Sequence, residues 1–378
     1  MAERPTLRLI PNEEQLMLAE TARKLVEGKA KVARIRELRR PDHPTGFSRE
    51  LFAEMAELGF TALSIPEDFG GMGLGLFDLA QILESLGREL APEPVLTTAV
   101  LGAVPLLRGG SDDQKQWFLP SLAAGETVVT LALDEAGMRD RWFSPKTRLE
   151  RSAEGFALSG EKIQVADALV ADAFIVTCES PSGLALALVD AKAPGVSIER
   201  QFRVDSRAVG IVRFDGVAVR ESDLLQGDAR AILQETLDRA AVALSAEMLG
   251  AAEKAFADTV GYLKERVQFG VPIGSFQALQ HRAATLYCEL QLLRSAVMAA
   301  ARAADEAPEA FPRLAALAKA TANETFLHVA KEAIQMHGGV GMTDEFDIGF
   351  YLKRAQAAAV TFGDTSHHRR RWDELNGY

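Results

Sequence analysis

Cysteine is almost missing from this chain: 378 residues hold two, Cys178 and Cys288. They stand far apart and match no metal-ligand spacing, which excludes a zinc-stapled or disulfide-framed scaffold. Two cysteines fit a reducing compartment. Positive charge is also short. Lys and Arg number 42 against 53 Asp and Glu, a net charge of −11. A nucleic-acid groove or a face for anionic lipid needs the opposite balance. A local basic patch for a phosphorylated ligand is still compatible with it. No apolar run approaches the ~20 residues of a membrane span. The opening Met1-Ala2-Glu3-Arg4-Pro5 begins no apolar signal-peptide core. There is no internal repeat and no low-complexity tract. What these absences leave is an acidic, cytoplasmic, multi-domain protein with no nucleic-acid or membrane partner.

Periodicity divides what is present. Residues 13–40 and 48–58 repeat apolar positions at helical spacing, the second run behind Ser48 as N-cap. Ile65-Pro66-Glu67-Asp68-Phe69-Gly70-Gly71-Met72-Gly73 is a loop. It has no Lys-Ser/Thr and follows no strand, so it is no phosphate cradle. Helices are expected again at 77–90 and 94–107, with a short one capped by Asp112 or Asp113 and ending before Pro120. From Thr127 the period changes to that of strands. Residues 156–165 read as a hairpin-like pair, and short β-rich runs recur about every ten residues to Phe214, as in a sandwich or barrel. From about 227 the chain is helical again, over 230–265, 276–305, 309–337 and 345–360. The expected architecture is α+β, with an N-terminal helical domain (1–125), a middle β-domain (126–226) and a C-terminal helical bundle (227–378).

Three blocks carry chemistry. Arg266-x-x-Phe269-Gly270-Val271-Pro272-Ile273-Gly274-Ser275-Phe276-Gln277 closes a long helix. A basic residue there suits the helix dipole, and Gly stops the helix. Gln335-x-x-Gly338-Gly339-x-Gly341 ends another. It follows a helix and lacks the dinucleotide spacing, so it is no Rossmann fingerprint. Phe362-Gly363-Asp364-Thr365-Ser366-His367-His368 opens a last helix, where Asp364 can serve as its cap. The paired histidines have no third ligand at metal spacing, and no metal is expected.

Together these blocks resemble the C-terminal domain of flavin-dependent acyl-CoA dehydrogenases, and the α–β–α order resembles that family across the whole chain. The resemblance implies FAD as cofactor and α,β-desaturation of an acyl-CoA thioester. It also implies electron-transferring flavoprotein as oxidant, and a homo- or hetero-oligomer with another chain of the family. By resemblance, Arg266, Gln268, Phe269, Gln335, Gly338, Gly339 and Thr365 serve FAD, with Arg266, Phe269, Gln335, Gly338 and Gly339 reaching a flavin held mainly by a neighbouring subunit. An arginine suits that role because its planar fork pairs with phosphate oxygens.

The departures from the family are as informative. Its main branch reads roughly Tyr-Glu-Gly-Thr at the last block, and the Glu is the catalytic base. Here Gly363 stands in that slot and a carboxylate, Asp364, comes one position later. Other branches place the base before the Arg-x-x-Phe block, near Ala240, where no acid stands. Asp238 and Glu247 are the nearest, and Glu247 is a second candidate base because it lies among apolar neighbours. Where the family reads Thr-Glu-Pro, this chain has Asp134-Glu135-Ala136. Where it reads Gly-x-Lys-x-Trp-Ile-Thr, the chain puts Gln164 for Trp and Ala166 for Thr. Contacts that would grip the chain's own flavin ring are therefore thinned, and those serving a neighbour's FAD are kept. The pattern resembles the short subunits of heteromeric acyl-CoA dehydrogenases of steroid side-chain or pimeloyl-CoA type. Two readings stay open, a dehydrogenase and a non-catalytic partner subunit. Flavin chemistry with an Asp base, as in nitroalkane oxidases, is a third.

Overall fold

The computed structural model describes residues 7–153 and 155–378. Helices α1 (Glu13–Lys29), α2 (Ile35–Leu38), α3 (Arg49–Glu57), α4 (Leu76–Arg88), α5 (Ala103–Gly109) and α6 (Asp112–Ala123) come first. Strands β1 (Val129–Ala132), β2 (Arg148–Ser152), β3 (Gly155–Ala166), β4 (Ala173–Ser180), β5 (Gly183–Asp190), β6 (Val196–Gln201) and β7 (Val209–Val219) follow. After helix α7 (Ala229–Glu265) come the hairpin strands β8 (Val267–Gln268) and β9 (Val271–Pro272). Helices α8 (Gln277–Glu306), α9 (Phe311–His337), α10 (Ile348–Ala358) and α11 (Thr365–Leu375) complete the chain. These elements gather into two compact units. One takes the described residues up to Ile35 with Gly75–Ala91 and Ala241–Tyr378, and the other takes Arg36–Leu74 with Pro92–Ala240.

The first unit is helical apart from the β8–β9 hairpin. Leu286, Leu290, Leu293 and Val297 recur along α8 at three- and four-residue steps and are all buried, which is the stripe one helix face must bury. Helices α4 and α7 meet at glycine. A Cβ on Gly87 would lie 2.0 Å from the Glu247 carbonyl oxygen, and one on Gly250 would lie 1.8 Å from that of Glu84. No other residue allows this approach. Beside it Arg294 donates to Glu84 and Glu253 at 2.8 and 2.5 Å.

The second unit holds the sheet. All seven strands β1–β7 join one mixed sheet in the order β1-β4-β2-β3-β7-β6, with β5 on the other edge of β4. Ala132 from β1 and Val196 and Ile198 from β6, at opposite ends of that order, pack on one core with Phe174, Val212 and Phe214. The sheet therefore curls on itself. Residues 156–165, expected as a strand pair, form the single strand β3. Gly160, with φ +151°, lies within a register shift against β7 and is no turn. Thr147 leaves no room for a side chain there, since a Cβ would lie 2.6 Å from its Oγ1.

Two helix ends differ from expectation. Ser48 caps α3 as read, its Oγ accepting from Leu51 N–H at 3.2 Å. Helix α6 is capped by Ser111, not by Asp112 or Asp113, and it runs through Pro120 to Ala123. Ser111 and Gln114 satisfy two end groups reciprocally, and the two acids sit in the first turn, where the dipole favours them. The expected helix at 94–107 begins as a π-helical stretch, Thr97–Gly102.

Candidate functional site

The block after α7 is an exposed arm. Phe269 (φ +54°) and Gly270 (φ +81°) form its tip between β8 and β9. The base of the arm is closed by Ile273 N–H donating to the Arg266 carbonyl at 2.8 Å. Arg266 and Gln268 are exposed, and Phe269 is 92% exposed, meeting only Phe276 edge-on at 6.1 Å among the described rings. A phenylalanine left this open is a surface for something else.

The end of α9 is open in a different way. Gly338 takes φ +65°, and its N–H donates to the Gln335 carbonyl. A Cβ on Gly338 or Gly339 would meet nothing within 4 Å. The first glycine is needed for its backbone angle; Gly339 leaves bare, exposed backbone beside exposed Gln335. Behind them His337 is buried, its Nδ1–H donating to the Ala333 carbonyl at 2.7 Å and its ring stacked on Tyr262 at 4.4 Å. Burial lowers its pKa.

The third block is a corner held from behind. Phe362 and Gly363 both take positive φ, +57° and +103°. Asp364 caps α11, Oδ1 accepting from His367 N–H at 2.8 Å, and half-buried Thr365 is the first helical residue. Lys319, fully buried, donates from Nζ to Asn323 Oδ1 (2.5 Å), the Ala358 carbonyl (2.9 Å) and the Gly363 carbonyl (3.4 Å). Asn323 Nδ2 adds a bond to the Gly363 carbonyl at 3.3 Å. His368 Nε2–H donates to the Phe362 carbonyl at 2.8 Å. Burial, with Arg354 nearby, pushes Lys319 down to about 7, and burial, with Lys319 nearby, pushes His368 down to about 3. A Cβ on Gly363 would lie 2.7 Å from both His367 Cδ2 and His368 Nε2. A side chain at position 363 would press on two imidazole rings.

Glu247 is occupied as well. Arg354 donates to its Oε1 from Nε and Nη2, both at 2.9 Å, and both side chains are buried. An acid among apolar neighbours is explained here by a guanidinium on α10. Asp238 is buried and accepts from Gln234 Nε2 at 3.2 Å, and Ala240 is fully buried. Sequence reasoning missed Arg354, Lys319 and Asn323, because each acts across a long stretch of chain.

In the β-containing unit, Asp134 Oδ1 accepts from Trp142 Nε1 at 2.7 Å, and burial raises its pKa. Trp142, unremarked in the sequence, is buried and folds the loop back on itself. Glu135 Oε1 accepts from Lys162 Nζ at 2.8 Å, Thr147 Oγ1 at 2.7 Å and Thr147 N–H at 2.9 Å. Lys162 also donates to Thr177 Oγ1 at 2.8 Å, inside the sheet. Gln164 takes φ +54°, is exposed, and turns its backbone N–H and Nε2 to Gln201 Oε1 at 2.8 and 3.3 Å. The two cysteines are free, Cys178 buried and Cys288 exposed, and no described group of residues has a metal-binding arrangement. No described helix is long and apolar enough to cross a membrane.

Comparison with known proteins identifies the family. Residues 12–126 match the acyl-CoA dehydrogenase N-terminal domain and residues 230–373 the C-terminal domain. The chain is 33% identical over 361 residues to the acyl-CoA dehydrogenase IpdE2 of Mycobacterium tuberculosis, covering 93% of each. It superposes on a chain of the Tcur3481-Tcur3483 steroid ACAD (G363A variant) with a TM-score of 0.87 at 34% identity, covering 96% of this chain and 98% of that one. Against the ChsE4-ChsE5 complex of M. tuberculosis the TM-score is 0.90 at 29% identity, covering 98% and 100%. By both family models and by its relatives, this chain belongs to the acyl-CoA dehydrogenase family, whose cofactor is FAD.

Proposed function

We propose that this chain is one subunit of a heteromeric acyl-CoA dehydrogenase and completes the FAD site of a neighbouring chain. The observation that carries this is the Gly363 corner. Its positive φ disfavours any side chain at 363, one there would have to displace the rings of His367 or His368, and Asp364 is engaged as a helix cap. Glu247, the other candidate, is held by Arg354. A base displaced from its α-proton by ~1 Å loses on the order of a hundredfold in rate.

The residues fit FAD on one side only. Exposed Arg266 offers a fork for pyrophosphate oxygens, Phe269 and Gln268 offer an apolar and an amide contact, and Gly338 and Gly339 let backbone approach closely. Thr365 adds a hydroxyl at the start of α11. On the β-side, Asp134 is bonded to Trp142, Gln164 to Gln201, and Ala166 has no side-chain donor. These do not present a ring-edge grip. Bound there, FAD would supply the hydride-accepting chemistry. The work of this chain is to hold the cofactor's far end and close the assembly around it. The electron acceptor for the assembly is an electron-transferring flavoprotein. The named relatives make ring-bearing steroid thioesters the first substrates to try, and an acyl-CoA is the substrate class.

Purifying the chain alone and with a catalytic family member tests this. The lone chain is expected to be colourless, and the co-purified assembly to carry FAD at less than one per subunit. A stoichiometric yellow monomeric preparation, bleached by an acyl-CoA without a partner, would sink the reading.

A further inference from the structure

Between Ala283 and Ala296, helix α8 keeps its charges turned inward and leaves its outer face without any. Arg294 is taken up by Glu84 and Glu253 at 2.8 and 2.5 Å. Glu289 meets His328 Nδ1 at 2.8 Å, and just before the stretch Arg282 donates to Glu332 at 2.5 Å. All three are half-buried. The exposed positions are Ala284, Thr285, Tyr287, Cys288, Gln291, Leu292 and Ser295. Leu292 is 67% exposed and Tyr287 55%. The Tyr287 ring leans on Phe256 at 6.4 Å, which holds it outward. A surface helix ordinarily turns its charges to water. The reverse, in a chain of net charge −11, is the composition of the middle of a protein interface.

The order of residues on this face says what covers it. When two identical helices pair antiparallel about a two-fold axis, each residue faces the one equally far on the other side of the midpoint. Take the midpoint between Glu289 and Leu290. Ala284 then faces Ser295, Tyr287 faces Leu292 and Cys288 faces Gln291, with Ala283 and Ala296 facing each other at the margins. Small meets small, and large apolar meets large apolar. Helical period makes the spacings symmetric on any helix, but it does not choose the kinds of residue. Thr285 alone breaks the match, its counterpart Arg294 being drawn inward to Glu84. A face that reads alike from both ends suits a second copy of itself. Charges on it would set like against like across the axis, which copies of an acidic chain must avoid.

We propose that the outer face of α8 is a self-association surface, on which two copies of this chain pair their α8 helices antiparallel about the Glu289–Leu290 midpoint. Tyr287 and Leu292 are its apolar anchors, and Ala284 and Ser295 let the helix ends approach. The pairing uses neither the Phe269 arm nor Gly338 and Gly339, so it holds whether or not the chain completes a neighbour's flavin site. A contact built on one helix face lies at the small end of specific interfaces, so a dissociation constant on the order of micromolar is expected.

Sedimentation equilibrium and cross-linking of the full chain decide it. A monomer–dimer equilibrium is expected, weakened at least about tenfold in Leu292→Lys and in Ala284→Glu, which add a charge at an exposed position and leave the core alone. Phe269→Ser should keep this dimer. A short bis-maleimide tests the geometry. Cys178 is buried, so Cys288 is the thiol that reacts. Paired copies bring their two Cys288 within about 10 Å, and a cross-linked dimer is expected. With the thiol moved to the start of the helix, in Cys288→Ser with Gln277→Cys, each copy's thiol lies level with the other's Arg302. The two are then about 37 Å apart, and no cross-link is expected. A wild-type chain that stays monomeric at on the order of 100 μM overturns the proposal. So does a dimer that both charge variants leave unchanged, one lost in Phe269→Ser, or a cross-link at Gln277→Cys in place of Cys288. Circular dichroism checks that the variants fold; if they do not, wild-type sedimentation and the Cys288 cross-link decide alone.

Discussion

Glu247 and Asp364 are the two carboxylates that sequence alone offers as a base, and each has a structural occupation that substitution can expose. Glu247→Gln would remove the carboxylate charge to which the buried Arg354 guanidinium donates. The expected cost is ~3–5 kcal/mol in chemical denaturation, largely recovered when Arg354→Met is added. A loss under ~1 kcal/mol would mean that the pair contributes little. For Asp364 the cap predicts that Ala costs ~1 kcal/mol while Asn, which caps nearly as well, stays close to wild type. If Asp364→Asn abolished acyl-CoA-dependent flavin bleaching in the assembled enzyme with fold and FAD content intact, Asp364 would be a base after all. The sequence showed Glu247 to be unusual but not why. Its partner lies 107 residues away on another helix, and no local pattern points there.

Among elements, the corner between α10 and α11 gives the sharpest expectations. Gly363→Glu restores the family's residue type on paper. Here it meets φ +103° and the two histidine rings, so it should lower stability and yield no flavin bleaching. The corner also carries a pH signature. The folded His368 titrates at about 3 against an ordinary 6.5. Between those values the unfolded chain binds a proton that the folded chain refuses, so stability falls as pH falls through that window. For Lys319 the folded value is about 7 against 10.5, so by the same sign stability rises with pH between them. Denaturation midpoints across pH should show both slopes. His368→Gln should flatten the acid one and Lys319→Met the alkaline one. Caps such as Ser48 were legible because capping is local. The length of β3 was not, because Gly160 signals a turn in sequence and a bulge in a sheet.

For the whole molecule, the helix–strand–helix order was legible in hydrophobic period alone, and the long helices after residue 227 begin and end within a few residues of where periodicity puts them, whereas the run 13–40 breaks after Lys29 into a 3-10 turn and the short α2. The division into compact units was not legible, since the first unit gathers three separate stretches of chain and α7 continues from one unit into the other. The three C-terminal blocks were visible in the sequence, whereas the closing of the Asp134 loop by Trp142 was hidden in a segment with no pattern. Arg266→Ala should lower FAD retention by the assembly, with a loss of ~1.5–3 kcal/mol in cofactor affinity read from the flavin released on dilution. Retention equal to wild type would remove Arg266 from the cofactor's surroundings.

The Phe269 arm has a consequence for the life of the chain before it meets a partner. An orphan copy carries an aromatic tip that is 92% exposed on a two-strand hairpin. That is the kind of feature chaperones and proteases recognise and through which like molecules adhere. If docking covers it, supply becomes self-adjusting. Copies made in excess of their mate are removed and paired copies persist, so the two chains settle at matched amounts without any dedicated regulator. Mass action makes the same point in vitro. The melting temperature of the chain alone should climb with its own concentration or on adding the mate, and Phe269→Ser should make the lone chain less sticky and the pair weaker.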